Sequence, residues 1–148
     1  MSMNANLYEQ DFHAWAMRNA ELIRQGKFSE IDAEHVAEEL ECMGRSERRE
    51  LISRLTVLLT HLLKWQFQPI LSGKSWRVTI KEQRRAVARC LKENPSLKSS
   101  LSDYLVEAYE DAVLETVKQT PFDETDFPVE CIFTLDQILD DDFWPDLR

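Results

Sequence analysis

The side chains best equipped for chemistry include three that fall on one side of a helix. His35, Glu39 and Cys42 stand at i, i+4 and i+7, the spacing that lines side chains up on one helical face. Glu38 adjoins them. His61 lies further along the chain, at the edge of an apolar stripe beside Leu58 and Trp65. Imidazole, carboxylate and thiolate are all ligands of divalent metals. If a turn folds the helix carrying Glu38 and Glu39 against the one carrying His61, these three form a metal centre with His35 as a fourth group. A water bound to such a metal would make the protein a metal-dependent hydrolase. The structural alternative leaves His35 and Glu39 in solvent and Cys42 at a boundary, with His61 making one buried hydrogen bond to Glu38 or Glu39. The Glu-x-x-His pairs of di-iron bundles are absent from the sequence.

Two further patterns carry charge chemistry. Glu-x-x-Glu occurs at Glu38/Glu41, Glu47/Glu50 and Glu107/Glu110, and paired carboxylates of this kind can hold magnesium against a diphosphate. Charge-rich helices produce the same spacing by chance. Arg77, Lys81, Arg84, Arg85, Arg89 and Lys92 spread over an arc of about 140° of a helix, opposite Trp76, Val87 and Leu91. That strip could contact nucleic-acid phosphates. Net charge is −9, which disfavours a polyanionic partner. Between Arg45 and Lys98, however, thirteen Lys or Arg stand against four Asp or Glu, and elsewhere five stand against twenty-three. The basic centre is therefore expected to be matched internally by acidic groups on the second and fifth helices.

The elements that must position these groups are helices. With only three glycines and five prolines in 148 residues, the chain lacks the turn chemistry of an all-β fold. Tyr8 to Gln25 reads as a first helix stopped by Gly26. Asp32 can cap a second, with Ile31 and Val36 as a hydrophobic staple and Ala33, Val36, Leu40 and Met43 as its buried stripe. Gly44 is expected to end it and Ser46 to cap a third helix, Glu47 to Gln66, whose broad apolar arc forms the core, the alternative being a helix that runs straight through Gly44 at about 1 kcal/mol. Pro69 closes that helix. A fourth starts at Ser75 or at the capping-box pattern of Thr79 and runs to 93, where Asn94-Pro95 opens a fifth that reaches Lys118. From Gln119 to Phe133 the periodicity is lost, suggesting an arm that docks Phe122, Phe127 and Phe133 on a bundle. Thr134 to Gln137 is a second capping box and opens a short last helix. The four tryptophans, Trp15, Trp65, Trp76 and Trp144, are expected to anchor the core and the arm.

The fold expected is all-α: a single-domain antiparallel bundle of about five main helices over 1–148. Its helical bundle takes 1–118, and an extended C-terminal arm with a short helix takes 119–148. No secretory signal is expected in Met1 to Asp11 and no membrane span anywhere. Three widely spaced cysteines, Cys42, Cys90 and Cys131, form neither a disulfide framework nor a CxxC pair, which fits a reducing cytoplasm.

Five segments together resemble a known family. They are Tyr8-Glu9-Gln10-Asp11-Phe12-His13-Ala14-Trp15, the run from Glu38 to Arg49, His61-Leu62-Leu63-Lys64-Trp65-Gln66, the run from Ser75 to Arg85, and Phe143-Trp144-Pro145. In this order they resemble the bacterial family called domain of unknown function 29. The resemblance covers nearly the whole chain and implies an all-helical fold, but it implies no activity and no catalytic residues.

The functional expectation is a soluble, non-enzymatic interaction or accessory protein with no cofactor, whose partner is another protein or a second copy of itself. The alternatives are a metal-binding protein or metal-dependent hydrolase using Glu38, Glu39, His61 and His35, and nucleic-acid binding through Arg77, Lys81, Arg84, Arg85 and Arg89 on helix 75–93.

Overall fold

The computed structural model describes residues 3–145, with side chains from residue 6 onward. Six α-helices follow one another: α1 Met3–Gln10, α2 Phe12–Arg24, α3 Ala33–Phe67, α4 Lys74–Glu93, α5 Leu101–Gln119 and α6 Leu135–Leu139. Short 3-10 turns lie at Pro69–Leu71, Pro95–Ser100 and Glu124–Asp126, and no strand occurs among the described residues. The fold is all-α. The chain divides into two compact units, Met1–Ser46 and Glu47–Arg148.

In the first unit, the helix expected over Tyr8 to Gln25 is two helices. Asp11 leaves the helical region (φ −153°, ψ 89°), and its side chain accepts from the Ala14 amide at 3.0 Å. A short carboxylate of this kind caps a new helix rather than continuing the old one. Gly26 ends α2 in the left-handed region at φ 73°, where a residue without Cβ carries no steric penalty. Trp15, Asn19 and Leu22 form the buried side of α2.

The break expected at Gly44 is absent: α3 is one helix of 35 residues. Neither Gly44 nor any neighbour adopts positive φ, and no proline interrupts the run. An internal glycine costs about 1 kcal/mol, less than abandoning a turn of backbone hydrogen bonds, so the helix continues and Ser46 has nothing to cap. The stripe Ala33, Val36, Leu40 and Met43 is not the buried face it was expected to be. Leu40 is 62% exposed and Met43 65%.

The second unit holds the main core. Leu51, Leu55, Leu58, Leu59, Leu62 and Leu63 of α3 are fully enclosed, together with Ile80, Val87, Ala108, Ala112 and Ile138. Each large side chain so buried contributes up to about 2 kcal/mol. Contacts fix the helix directions. The Cys90 thiol of late α4 and the Asn94 that caps it approach Glu47 at the start of this stretch of α3, and Lys64 near its end lies over Trp76 of early α4. Helix α4 therefore runs antiparallel to α3. Lys64 also donates to Gln119 at the end of α5, so α5 runs back alongside α3.

Other boundaries follow local chemistry. Helix α4 begins at Lys74 after Gly73, next to the Ser75 alternative, and Thr79 lies inside it rather than at its start. Pro95 opens a 3-10 turn rather than α5 itself, which begins at Leu101. The arm folds onto its own bundle. Phe127 and Phe133 are buried in the core, Phe67 meets Phe122 and Phe127 edge-on, and Tyr109 donates to the Pro128 carbonyl at 2.6 Å. The Thr134/Gln137 capping box forms in both directions.

Candidate functional site

In the first unit two of the expected metal ligands, His35 and Glu39, are held by structural partners. Asp32 stands immediately before α3, and its carboxylate, 8% exposed, accepts from Trp15 Nε1 at 2.9 Å and His35 Nδ1 at 2.7 Å. A carboxylate only accepts, so Nδ1 carries the proton. The Asp32 amide donates to Asn19 Oδ1 at 2.8 Å, and Asn19 Nδ2 donates to the Trp15 carbonyl. Tyr8 stacks on His35 with ring centroids 4.0 Å apart, and its hydroxyl donates to Glu39.

Electrostatics follow from these bonds. The bond to Asp32, reinforced by its charge, raises the His35 pKa against the opposing effect of burial. Burial pushes the Asp32 carboxyl up, but the bonds from His35, Trp15 and the His35 amide outweigh it and leave it below its ordinary value. The Glu39 carboxylate, by its hydrogen bond first, pushes the Tyr8 hydroxyl up to about 12.

His61 does not bond Glu38 or Glu39. Its Nδ1 donates to the Val57 carbonyl one turn back, at 2.9 Å, and burial lowers its pKa. The turn that would have folded the Glu38/Glu39 segment back towards it does not exist, because α3 is unbroken. Glu38 and Cys42 are exposed. Among the described residues, no three His, Cys, Asp or Glu gather closely enough to hold a metal ion. The residues of the Glu-x-x-Glu pairs lie on exposed helix surface, where Glu41 meets Arg45 at 3.7 Å and Glu50 meets Arg54 at 2.9 Å.

The basic strip of α4 separates into two kinds of residue. Arg84 is 2% exposed and belongs to the interior: Nε donates to the Ile138 carbonyl at 2.9 Å and Nη2 to the Gln137 carbonyl at 3.3 Å, with Trp144 beneath the guanidinium. Burial lowers its pKa, opposed by Asp141 and Asp140. It is removed from any surface that nucleic acid could reach. Arg77, Lys81, Arg85 and Arg89 remain exposed. At these four positions no ion pair within 4.0 Å is made among the described residues. Acidic groups on α5 face other neighbours, such as Glu115 with Lys118.

Three of these cations line an open cleft of about 650 Å³. Arg77, Lys81 and Arg85 come from successive turns of α4, Trp65 from α3, and Asp141, Asp142 and Trp144 from the segment after α6. Trp65 and Trp144 lie against each other, centroids 4.8 Å apart at 39°. Both are half-buried, whereas Trp15 is enclosed. Sequence reasoning found the cations but not the cleft. Nothing in the spacing of Asp141, Asp142 and Trp144 shows that the chain returns to α4. Tyr8 was missed likewise, because its link to Glu39 spans 31 residues.

No helix among the described residues is long and apolar enough to cross a membrane. Neither the curated proteins nor the solved structures yield a match to the chain. A family match covers residues 7–144, from just ahead of Tyr8 to the Trp144 that walls the cleft. The chain belongs to the family described as Domain of unknown function DUF29.

Proposed function

We propose that the protein is a non-enzymatic helical interaction protein that self-associates through the apolar face at the start of α3. The observation that carries this reading is the exposure of Leu40 and Met43, 62% and 65%, in the middle of a regular helix. Ala33, Val36, Ala37, Leu40, Met43 and Gly44 recur at intervals of three and four, the pattern of a seam between helices. Unpartnered apolar seams on a helix are protein-docking surfaces. The space beside Gly44 is open, which lets another helix approach closely.

A second copy of the chain is the occupant that the charge pattern favours. Glu34 and Glu41 before Gly44 and Arg48 after it recur every seven residues along one edge of the seam. An antiparallel copy sets Glu41 of each chain beside Arg48 of the other, the self-complementary pattern of a two-fold interface. The non-enzymatic part is supported by the partners that His35, Glu39 and His61 already have. A reducing, cytoplasmic setting belongs to the same proposal and is supported by three free cysteines.

Light scattering coupled to size exclusion tests it. A dimer at tens of micromolar that becomes monomeric in Leu40→Glu and Met43→Glu, with helicity retained, supports it. A monomeric wild-type protein sinks it, including when a different protein occupies the face. Elemental analysis tests the absence of a cofactor, and a stoichiometric divalent metal would overturn that part.

A further inference from the structure

The cleft between α4 and the C-terminal segment has a division of labour that an incidental surface groove lacks. One wall is cationic: Arg77, Lys81 and Arg85 stand at i, i+4 and i+8 and make no ion pair among the described residues. Two carboxylates, Asp141 and Asp142, and two indole rings, Trp65 and Trp144, complete the lining. Three unpaired cations side by side repel one another and are stabilised by an anion that bridges them. Indole faces take planar rings. Carboxylates accept hydrogen bonds from hydroxyls or amines. The volume, about 650 Å³, is in the range of small-molecule sites.

We infer that this cleft binds a nucleoside diphosphate, with the phosphates on Arg77, Lys81 and Arg85, the base against Trp65 and Trp144, and the sugar hydroxyls on Asp141 and Asp142. A simple inorganic anion would leave the carboxylates and the rings unused. A polyanion would bring further phosphates against Asp141 and Asp142, at a cost in like-charge repulsion. The buried Arg84 beneath Trp144 holds that ring in place and does not contact the ligand. None of these residues belongs to the α3 face, so this assignment and the self-association stand or fall separately.

The test is titration calorimetry together with tryptophan fluorescence, using ADP, GDP and UDP in turn. The expected result is saturable binding of at least one of them with quenching of indole emission. Arg77→Ala and Arg85→Ala, at exposed positions that folding tolerates, each weaken it about tenfold. Asp142→Asn weakens it less, and Arg89→Ala, outside the cleft, leaves it unchanged. Absence of saturable binding at about 1 mM overturns the assignment. Pyrophosphate or adenosine binding as tightly as the diphosphates also overturns it, because half of the lining would then be idle. Tighter binding of single-stranded DNA, weakened equally by Arg89→Ala, would replace it with a diffuse nucleic-acid surface.

Discussion

Arg84 and Ile138 are joined by a 2.9 Å hydrogen bond from guanidinium Nε to main-chain carbonyl, which pins the last helix to the centre of α4. Ile138 and Gln137 are in the final turn of α6, where carbonyls lack helical partners and the helix dipole favours a cation. Arg84→Ala is expected to destabilise the protein by about 2–4 kcal/mol, since it leaves buried acceptors unpaired. Arg84→Met, which keeps volume without charge, should cost less. Exposed Arg85→Ala should fall within about 0.5 kcal/mol. Urea denaturation distinguishes them, and equal midpoints for Arg84→Ala and Arg85→Ala would show that the pin is idle.

His35 and His61 should titrate on opposite sides of the ordinary value near 6.5, His35 above because of Asp32 and His61 below because of burial. The His35 contribution to stability is full below about pH 6.5 and is lost as pH rises through its raised pKa. That of Asp32, whose pKa is lowered, is present above about pH 4 and lost as pH falls through its own value. Their bond is therefore strongest at mildly acidic pH. His61 works the other way: its buried ring must charge as pH falls below about 6.5, which weakens the second unit. Proton NMR of the imidazoles reads the two histidine midpoints, urea denaturation across pH reads the stability contributions, and Asp32→Asn should bring the His35 midpoint down. An unmoved midpoint would mean that Asp32 does not govern the ring.

The two glycines of the first unit should respond with opposite signs. Gly44 is helical with nothing within 4 Å of an added Cβ in the single chain, so Gly44→Ala should raise the stability of the monomer, melted at a concentration below that of self-association, by about 0.5–1 kcal/mol. Gly26 sits at φ 73°, so Gly26→Ala should lower it by about 1 kcal/mol. Thermal melts followed by circular dichroism give both, and two shifts of the same sign would contradict the helix assignment.

Thiol accessibility should be graded. Cys42 is exposed, Cys131 half-buried and Cys90 buried, and burial pushes the last two thiols up in pKa. Thiolate is the reactive form. A chromogenic disulfide reagent should label Cys42 first on the native protein and the other two only on unfolding. Fast labelling of Cys90 would show that late α4 opens readily.

Much of the architecture was readable in advance because it rests on local periodicity. The heptad-like leucines from Leu51 to Leu63 can bury themselves only as a helix, and Thr134 with Gln137 closes a capping box within four residues. Breaks were harder to place. Gly44 and Asp11 each present a balance of about 1 kcal/mol between continuing and stopping, and composition does not settle it. Helix continuity won at Gly44, and a side-chain cap won at Asp11.

The amino-acid sequence determined that the chain is helical, which faces are apolar, and that a row of cations lies along α4, since all of these depend on residues within a few turns of each other. Tertiary structure decided the partners: Tyr8 with Glu39, Arg84 with Ile138, and the meeting of Trp65, Arg77 and Asp142 around one cleft. Such pairings join residues dozens of positions apart. They are fixed by how helices and connections pack, and no short-range spacing encodes them.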